Sequence, residues 1–572
     1  MPILRYLESP LDDLLRRAAD RDGDAPAVVT AQAAVTFAAL DREADRIAHY
    51  VRRTVRRADA VVAAATTLDA AFPAVYYGTV RSGRLLALLD PLMGQAALHE
   101  VCTAAGVEIA FVPGPLAALL AALADRLPRL HTIVVTDPTT RPASSGRAPG
   151  GSAPGGPVPG RRPSGVPVSG AAVFGGRGAC AVVTLSAALA GVSAGGPVGR
   201  ARPGVDAVAC LQFAPDGAGR LKSVRLTHRN LVAGAAQTAL AHRLGAASVA
   251  FNHLPQYHAV HLNSAVHAGA RQVLCTDPDP FGALAEAARA EATHYYGLPA
   301  RLHRLADDPR LATGRAHLPG RHLSAIHVSG GVLAPERARV LRDALRVSVL
   351  QGYGLTEVFT LSHHQPPGSR PGLGAVGVPL PGTECRVVVP GSTRPAPVWS
   401  TGEVQIRGPQ LSHGPADSPG PAARDADGWL STGDTGYLDA DGGLHLVDAH
   451  RSVFTCDDAL VAPSVVERVI GQDPRVAECI VADWPDPARG ALVWAGVVLR
   501  EAPEGDAPGG NAPDVLDVLD SVAEQANARL GPGEQIRRLE ALDAVPRRPG
   551  GRPARRELRL RLHALAAGEA AA

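Results

Sequence analysis

An apolar run followed by a loop of small residues, LQFAPDGAGRLKS at 211–223, contains the only lysine of this 572-residue chain. Backbone N–H groups in such a loop can turn inward and bind an anion, and a helix that follows adds the positive end of its dipole. Thr227 or His228 stands where that helix is expected to begin. Lys222 can reach a phosphate oxygen with a mobile point charge, which the planar guanidinium of arginine does not provide. The stretch predicts a phosphate-binding loop, although an ordinary strand-to-helix turn has the same pattern.

A second stretch, LQGYGLTE at 350–357, places an aromatic ring, a hydroxyl and a carboxylate after an apolar strand. Tyr353 can stack on a purine ring, Thr356 can hydrogen-bond a phosphate, and Glu357 can hold Mg²⁺ through oxygen. Upstream, VSGG at 328–331 predicts a second turn of bare backbone. Two surface turns with a solvated glutamate are the alternative interpretation.

Two stretches nearer the C-terminus complete this set. In STGDTGYLDADG at 431–442, Asp434 follows Thr-Gly and is expected in a tight turn, where its carboxylate can accept hydrogen bonds from ribose hydroxyls. In VPRRPGGRPARRELRLRL at 545–562, a Gly-Gly turn leads into an arginine-rich helix. A turn in a β meander and a solvated basic tail are the alternatives. The order and spacing of all four stretches favour one shared cleft.

Composition indicates a folded globular protein in which such a cleft can form. Hydrophobic residues make up 46% of the chain, and 57 basic against 55 acidic residues give no case for nucleic-acid binding. Seven scattered cysteines without a CxxC pair argue against a disulfide framework or a zinc site. The N-terminus does not resemble a signal peptide and no apolar run reaches about 18 residues, so we expect a cytoplasmic protein without a transmembrane segment.

The pattern along the chain predicts an α/β fold. Strand-like apolar runs alternate with helical patterns in a large N-terminal domain, 1–451, which becomes strand-rich after about residue 375. A low-complexity insert is expected at about 138–204, with a flexible, proline- and glycine-rich surface segment at 138–170 and a second loose patch at 194–204. The remainder, 452–572, is expected to be a small, mobile α+β domain.

With these stretches in view, the chain resembles the adenylate-forming superfamily of acyl-CoA synthetases, fatty-acyl-AMP ligases and related AMP-binding enzymes. The resemblance extends from about residue 9 to residue 562, apart from the insert. It rests on GYGLTE, STGDTGYLDADG, GAVGVPLPGTECRVV and VPRRPGGRPARRELR. LPQYHAVHLNSAVHAGARQVL at 254–274 resembles the segment that lines the acyl pocket in the fatty-acid CoA ligases of this family.

The resemblance implies a two-step reaction. A carboxylate, expected to be a fatty or other apolar acid, attacks the α-phosphorus of ATP to give acyl-AMP, and the thiol of CoA then displaces AMP. ATP, Mg²⁺ and CoA are the implied cofactors and co-substrates, and the small C-terminal domain is expected to swing between the steps.

The same resemblance assigns a role to individual residues. The implied catalytic residues are Lys222, Thr356, Glu357 and Arg552, with Glu357 also holding Mg²⁺. The implied nucleotide-binding residues are Gly219, Lys222, Gly330, Gly331, Tyr353, Gly354, Thr356 and Asp434. His258 is placed at the entrance to the acyl pocket.

Several positions depart from the family pattern. The loop APDGAGRLKS lacks the four hydroxyl residues of the family motif, and Asp216 adds a negative charge. At a separation of ~4 Å and an effective dielectric near 20, that charge would repel a phosphate by about 4 kcal/mol. Arg552 stands where the family has a catalytic lysine, and Ala449 and Ser452 replace the ribose-binding arginine and the hinge acid.

These departures leave two other functions open. One is a catalytically impaired homologue that binds nucleotide, acyl ligand or a partner without turnover. The other is an acyl-AMP ligase that loads the thiol of an acyl carrier protein. The sequence does not determine acyl chain length, acceptor or oligomeric state.

Overall fold

Two large sheets occupy the centre of the protein in the computed structural model. The structure describes residues 8–136, 180–192, 203–215, 221–313, 322–331, 333–359, 361–369, 374–389, 392–412, 424–448, 454–457, 459–500, 515–547 and 555–571.

The strands within these ranges are numbered here in chain order. They are β1 (Pro26–Val29), β2 (Ala34–Thr36), β3 (Val61–Ala65), β4 (Leu85–Leu89), β5 (Val107–Val112), β6 (Thr132–Val135), β7 (Ala181–Thr184), β8 (Val208–Pro215), β9 (Leu221–Thr227), β10 (Val249–His253), β11 (Arg271–Leu274), β12 (His294–Gly297), β13 (Ala325–Val328), β14 (Ser348–Gly354), β15 (Leu361–His364), β16 (Ala375–Pro379), β17 (Glu384–Val388), β18 (Gly402–Arg407), β19 (Leu430–Leu438), β20 (Leu444–Asp448), β21 (Phe454–Cys456), β22 (Ala459–Val461), β23 (Val476–Asp486), β24 (Gly490–Leu499) and β25 (Ile536–Ala541).

The helices of the same ranges are numbered in the same way. They are α1 (Asp13–Asp22), α2 (Phe37–Thr54), α3 (Ala71–Arg81), α4 (Gln95–Ala105), α5 (Gly114–Leu123), α6 (Leu185–Leu189), α7 (His228–Ala241), α8 (Ala259–Ala268), α9 (Pro280–Arg289), α10 (Pro299–Asp307), α11 (Pro309–Thr313), α12 (Pro335–Leu345), α13 (Pro463–Ile470), α14 (Val515–Asn527) and α15 (Arg555–Ala571).

The first sheet has the strand order β7-β6-β5-β3-β4-β8-β9 and is parallel except for the last pair. Strands β3 and β4 at its centre are apolar throughout, as expected for strands covered by helices on both faces. Val61 and Ala63 of β3 pack with α4 and α5 on one side, whereas Val62 and Ala64 pack with the helices on the other. β7 lies within the range expected to be an insert, so part of that range belongs to the sheet.

The second sheet has thirteen strands in the order β17-β18-β19-β20-β16-β15-β14-β13-β12-β10-β11-β1-β2. Strands β1, β11, β10, β12, β13 and β14 are parallel to one another, and antiparallel pairing takes over from β15 onward. The strand-rich part expected after about residue 375 therefore continues the same sheet. Helices α9, α10 and α12 cover the outer face of the parallel part.

Helices α7 and α8 fill the space between the two sheets. Leu231 of α7 and Leu262 of α8 belong to a core that also includes Val62 of the first sheet and Val28 and Leu274 of the second. Both helices are buried along nearly their whole length. This layered arrangement confirms the predicted α/β class.

A second strand separates the predicted phosphate loop from the helix that follows it. β8 and β9 form an antiparallel hairpin, and α7 begins only after β9, with Thr227 as its capping residue. The expectation that the loop leads directly into a helix was therefore wrong, although the start of the helix was placed correctly. Val224 and Leu226 are buried while Arg225 is exposed, which is the alternation of a strand.

A smaller group of elements follows residue 453. β21 and β22 form a hairpin, and β23, β24 and β25 form a three-stranded sheet that packs against α13 and α14 on one side. On the other side Trp494 packs with Leu558 and Leu562 of α15. Among the residues that the structure describes, no helix is both long and apolar enough to span a bilayer.

A buried ion-pair cluster joins the first three helices. The Arg81 side chain is 1% exposed and lies 2.5 Å from Asp41, 2.9 Å from Asp45 and 3.7 Å from Asp12. We expect Arg81→Met to lower the free energy of unfolding by about 3 kcal/mol, because Asp41 loses this buried counter-ion while Asp12 and Asp45 keep Arg16 at 3.3 and 3.6 Å. Chemical denaturation measures this change.

The matched control for this prediction is Arg57→Met. Arg57 pairs with Asp59 at 2.6 Å, but both side chains are more than half exposed. Because solvent screens such a pair, we expect a loss below about 1 kcal/mol. Equal losses in the two variants would contradict the role given to burial.

His228 makes the stability of the fold depend on pH. Its Nδ1 accepts a hydrogen bond from the Leu11 backbone N–H at 3.0 Å, and burial lowers its pKa to about 4 against the opposing effect of Asp12. Because the unfolded chain binds this proton more tightly, stability is retained above pH 6.5 and is lost as the pH falls toward 4. The expected loss is up to about 3 kcal/mol.

The measurement is denaturant unfolding at pH values between 7 and 4 for the natural chain and for His228→Asn. The asparagine oxygen can still accept from Leu11, but it does not titrate. We expect the variant to lose less stability over this interval, and parallel curves for the two proteins would contradict the assignment.

Candidate functional site

The structure brings Tyr353 and Asp434 together, although 81 positions separate them in the chain. The Tyr353 hydroxyl donates a hydrogen bond to the Asp434 carboxylate, and both residues are buried. Burial, and then the negative charge of Asp434, hold the Tyr353 pKa well above its usual value. The phenol is therefore a hydrogen-bond donor. The Tyr353 ring and the Asp434 carboxylate together form one corner of the candidate site.

Asp434 reaches this corner from the middle of strand β19 and not from a tight turn, so the expected local geometry was wrong. Residues of β19 alternate between buried and half-buried, and Thr432 and Asp434 share the buried face. The Asp434 backbone N–H donates to the Thr432 hydroxyl at 3.0 Å, across Gly433 with its φ of +76°. Thr-Gly-Asp is typical of turns, and here it forms a bulge within β19, because the register with β18 shifts between Gln405↔Ser431 and Glu403↔Thr435.

Gly330 and Gly331 lie in the turn after β13, the strand next to the one that contains Tyr353. They follow the carboxyl end of β13, which is parallel to β14 and pairs with it up to Val328 and Gln351. Carboxyl ends of adjacent parallel strands are the usual ligand-binding edge of such a sheet. Gly330 has a φ of +79°, a backbone conformation that side chains with a Cβ rarely adopt. The bare-backbone turn expected from VSGG is therefore present at this edge.

Thr356 and Glu357 follow Gly354, the last residue of β14, in a single turn of 3₁₀ helix that ends at Val358. Glu357 is buried, and its backbone oxygen accepts a hydrogen bond from the Ser412 N–H at 2.8 Å. Strand β8 approaches this turn, with Cα atoms within 8 Å. Strand β8 of the predicted phosphate hairpin therefore lies next to the turn that contains the hydroxyl and the carboxylate.

The hairpin itself is described only up to its tip. Lys222 lies on β9 opposite Ala214, and Gly219 lies outside the described residues. Arg552 and the predicted hinge residues Ala449 and Ser452 also lie outside them. Their roles remain predictions.

Glu100 connects the hairpin to the C-terminal elements. One of its carboxylate oxygens accepts from the Leu221 N–H at 2.9 Å, and the other pairs with Arg468 of α13 at 2.5 Å. Nearby, the backbones of Gly94 and Gly531 meet so closely that a Cβ on Gly94 would lie 2.5 Å from the Gly531 nitrogen. The position of α13 is thus coupled to the strand that contains Lys222. Sequence reasoning did not identify this carboxylate, which lies in an ordinary helical pattern.

His258 is half-buried and caps the start of α8, and it belongs to a larger group of aromatic rings that sequence reasoning missed. The rings lie between α7, α8 and strands β12, β13 and β15. Neighbouring ring centres are separated by 5.9 Å for His258–His261, 4.1 Å for His261–Tyr296, 5.2 Å for Tyr296–His327, 4.0 Å for His327–His242 and 5.1 Å for His327–His364.

Burial keeps these histidines neutral. It lowers the pKa of His258 to about 4 and that of His261 to about 3, with a smaller contribution from His258 to the latter. The only local signal in the sequence is the repetition of polar aromatic residues at alternate positions, as in His294 and Tyr296 of β12. Register then places Tyr296 directly opposite His327 of β13.

Comparison with known proteins shows which family this chain belongs to. A family model described as AMP-binding enzyme matches residues 15–414. Similar curated proteins include sulfoacetate–CoA ligase of Cupriavidus necator, 31% identical over 52% of this chain and 59% of that protein. 4-Coumarate–CoA ligase-like 3 of Oryza sativa is 29% identical over 62% and 60%, and long-chain-fatty-acid–CoA ligase of Bacillus subtilis is 26% identical over 61% of each. The chain thus matches about 60% of the length of these relatives.

Solved structures resemble the fold over nearly the whole chain. A double mutant of o-succinylbenzoate CoA synthetase from Bacillus subtilis, bound to a product analogue, has a TM-score of 0.72 at 19% identity and covers 96% of this chain and 98% of its own. The amide bond synthetase of Marinactinospora thermotolerans has a TM-score of 0.72 at 23% identity, with 96% and 99% covered. At these identities the likeness shows the fold alone.

The corner formed by Tyr353 and Asp434 leads to a testable expectation. Tyr353→Phe keeps the ring but removes the donor to a buried carboxylate, so we expect the free energy of unfolding to fall by about 1–3 kcal/mol. We also expect weaker binding of AMP in calorimetry, because the carboxylate loses the group that orients it.

Tyr437→Phe is the matched control, on strand β19, which also contains Asp434. The Tyr437 ring stacks on His445 with 4.8 Å between ring centres. It should change neither stability nor AMP affinity by a comparable amount. Unchanged AMP affinity in Tyr353→Phe would contradict a role of the Tyr353–Asp434 pair in nucleotide binding.

Proposed function

Because this chain belongs to the AMP-binding enzyme family, we propose that it activates a carboxylic acid with ATP and transfers the acyl group to the thiol of CoA. The observation that carries the proposal is the pairing of Tyr353 with Asp434 beside the turn that contains Thr356 and Glu357. An aromatic platform, a carboxylate for ribose hydroxyls and an oxygen-rich turn lie together at the carboxyl edge of the sheet.

The proposed reaction has two balanced steps. A carboxylate oxygen of the acid attacks the α-phosphorus of ATP, forming an acyl–phosphate bond and releasing pyrophosphate. The thiolate of CoA then attacks the acyl carbon, and AMP leaves with the bonding electron pair. Positioning and neutralisation of charge supply most of the catalysis in such chemistry.

The residues of the site would divide this work. The Tyr353 ring packs against adenine, Asp434 accepts from the ribose hydroxyls, and Lys222 neutralises phosphate charge. The Glu357 carboxylate and the Thr356 hydroxyl are oxygen ligands of the kind that Mg²⁺ prefers, so this pair fits the ion that the family uses. Bound there, the ion would screen the phosphate charges that oppose attack by the carboxylate.

The aromatic group at α8 bears on the choice of acid. The segment that resembles the acyl-pocket lining contains His258 and His261, and ring contacts continue from them to Tyr296 and His327. Neutral imidazoles offer hydrogen bonds, and a long alkyl chain in contact with them would leave buried polar atoms unpaired. We therefore propose a compact aromatic or polar acid in place of the fatty acid expected from the sequence.

A second candidate function is a nucleotide-binding protein without turnover. The specific observation that favours it is the sequence of the hairpin tip, where Gly217 and Ala218 replace hydroxyl residues and Asp216 adds a negative charge. Arg552 in place of the family's lysine also favours this candidate, because a planar guanidinium does not replace the compact ammonium charge of lysine at a transition state.

Pyrophosphate exchange with a panel of acids tests the proposal. We expect ATP–pyrophosphate exchange with acids the size of 4-coumarate, benzoate or sulfoacetate, and none above background with palmitate. His261→Leu, which replaces an imidazole by an apolar side chain, should shift kcat/KM toward hexanoate over 4-coumarate by about tenfold. Exchange that is fastest with palmitate would contradict the proposed pocket.

The second candidate predicts a different result from the same protein. AMP would bind in calorimetry, but no acid would support exchange. In that case Arg552→Lys combined with Gly217→Ser and Ala218→Thr should create exchange activity if the lost groups are the cause. Comparing CoA with an acyl carrier protein as acceptor separates the remaining alternative.

A further inference from the structure

Three buried histidines from three different elements converge behind the candidate acyl segment. His242 follows the end of α7, His327 lies on β13 and His364 lies on β15. One ring nitrogen of each lies within 4.8 Å of the corresponding nitrogens of the other two. Among the described residues, no other set of three histidine, cysteine or acidic side chains meets this condition.

Two nitrogens of this group have no hydrogen-bond partner among the described residues. They are Nε2 of His242 and Nε2 of His327, and neither is accessible to solvent. A buried polar atom without a partner is costly, and in a folded protein it calls for a specific explanation such as an ion that the site is built to bind. The third histidine is close: His364 Nε2 lies 3.0 Å from His327 Nδ1.

The spacing suits one metal ion. Nitrogens on a tetrahedral Zn²⁺, at about 2.0–2.1 Å from the metal, lie about 3.3 Å from one another. His327 Nδ1 and His364 Nε2 are already near that separation, at 3.0 Å. The third ligand would be the unpartnered Nε2 of His242, brought to the same ion by rotation of the rings. Rotation is needed because the rings of His242 and His327 are stacked, with 4.0 Å between their centres.

The surroundings also favour a ligand role. His242 Nδ1 is 3.0 Å from the Tyr296 hydroxyl, so a proton on Nδ1 can be donated to that oxygen while Nε2 stays free for a metal. A ligating histidine almost always has its second nitrogen held in this way. All three imidazoles are buried, and a neutral imidazole is the form that binds a metal ion.

We propose that His242, His327 and His364 form a binding site for Zn²⁺ or another divalent transition metal. Three imidazoles suit zinc, nickel and copper better than magnesium or calcium, which prefer oxygen. The group contains no carboxylate, so the metal would keep its double positive charge. We therefore expect a fourth ligand that is an anion, such as hydroxide. The proposal does not depend on the proposed reaction.

Metal binding by the full-length chain without an affinity tag tests this site. The protein is stripped with a chelator and dialysed, and Co²⁺ is titrated in as a spectroscopic probe. We expect one equivalent to give the intense visible absorption of tetrahedral cobalt, and one equivalent of Zn²⁺ to remove it. A chain that binds less than one equivalent, or whose cobalt spectrum is that of the hydrated ion, would overturn the proposal.

The variants His364→Phe and His363→Phe form a matched pair. The two histidines are neighbours on β15 and both are buried, but only His364 belongs to the group. We expect His364→Phe to lose the cobalt absorption and His363→Phe to keep it. Equal behaviour of the two variants would mean that the metal binds elsewhere.

Tyr296→Phe keeps the test decisive if the ligand variant does not fold. It leaves all three histidines in place and removes the hydroxyl next to His242 Nδ1. We expect a 10- to 100-fold weaker Zn²⁺ affinity, together with a smaller rise in Tm on addition of Zn²⁺ than the natural chain gives. An unchanged Zn²⁺ affinity would contradict the positioning role of Tyr296. The absence of any rise in Tm when Zn²⁺ is added to the natural chain would overturn the proposed metal site.

Discussion

The burial of α7 and α8 between the two large sheets is the constraint on which the rest of the structure depends. Nearly every residue of α7 from His228 to Ala239 is buried, as is α8 from Ala259 to Val266. A helix that is covered on all sides has no face that water can stabilise, so both sheets must remain in contact with it. Alanine and glycine make up much of α7, which allows this close approach.

Polar groups on these helices determine how the strand-rich part is attached and where the candidate sites lie. Asn230 donates to the Leu411 and Pro409 carbonyls at 2.8 and 2.9 Å, and Gln237 donates to the Pro381 carbonyl at 2.9 Å. Breaking such buried bonds is costly, so the segment beside Glu357 is held in place. The phosphate hairpin lies immediately before α7, and His242 of the three-histidine group lies immediately after it. Helix α8 lies within the candidate acyl segment, 254–274.

Local patterns predicted most of the elements because each is encoded within a few neighbouring residues. The alternating layers of strand and helix, the cap at Thr227 and the turn at Gly330 all followed from such patterns. The site residues Tyr353 and Asp434 were named from their local motifs, and the family resemblance assigned them to nucleotide binding. Two local features were misread. Asp434 lies within strand β19, where Thr-Gly-Asp forms a bulge in place of a tight turn, and pairing with β8 places β9 between the phosphate loop and α7.

The sequence by itself determined the α/β class, the approximate position of each large element and the motifs of an AMP-binding enzyme. Only the tertiary structure decided that Glu100 joins the phosphate hairpin to Arg468, and that His242, His327 and His364 meet in one buried group. The reason is physical: these contacts depend on the register of parallel strands and on the depth at which α7 lies between the sheets. Neither the strand register nor the depth of α7 can be predicted from a short stretch of residues, because both result from packing across the whole core.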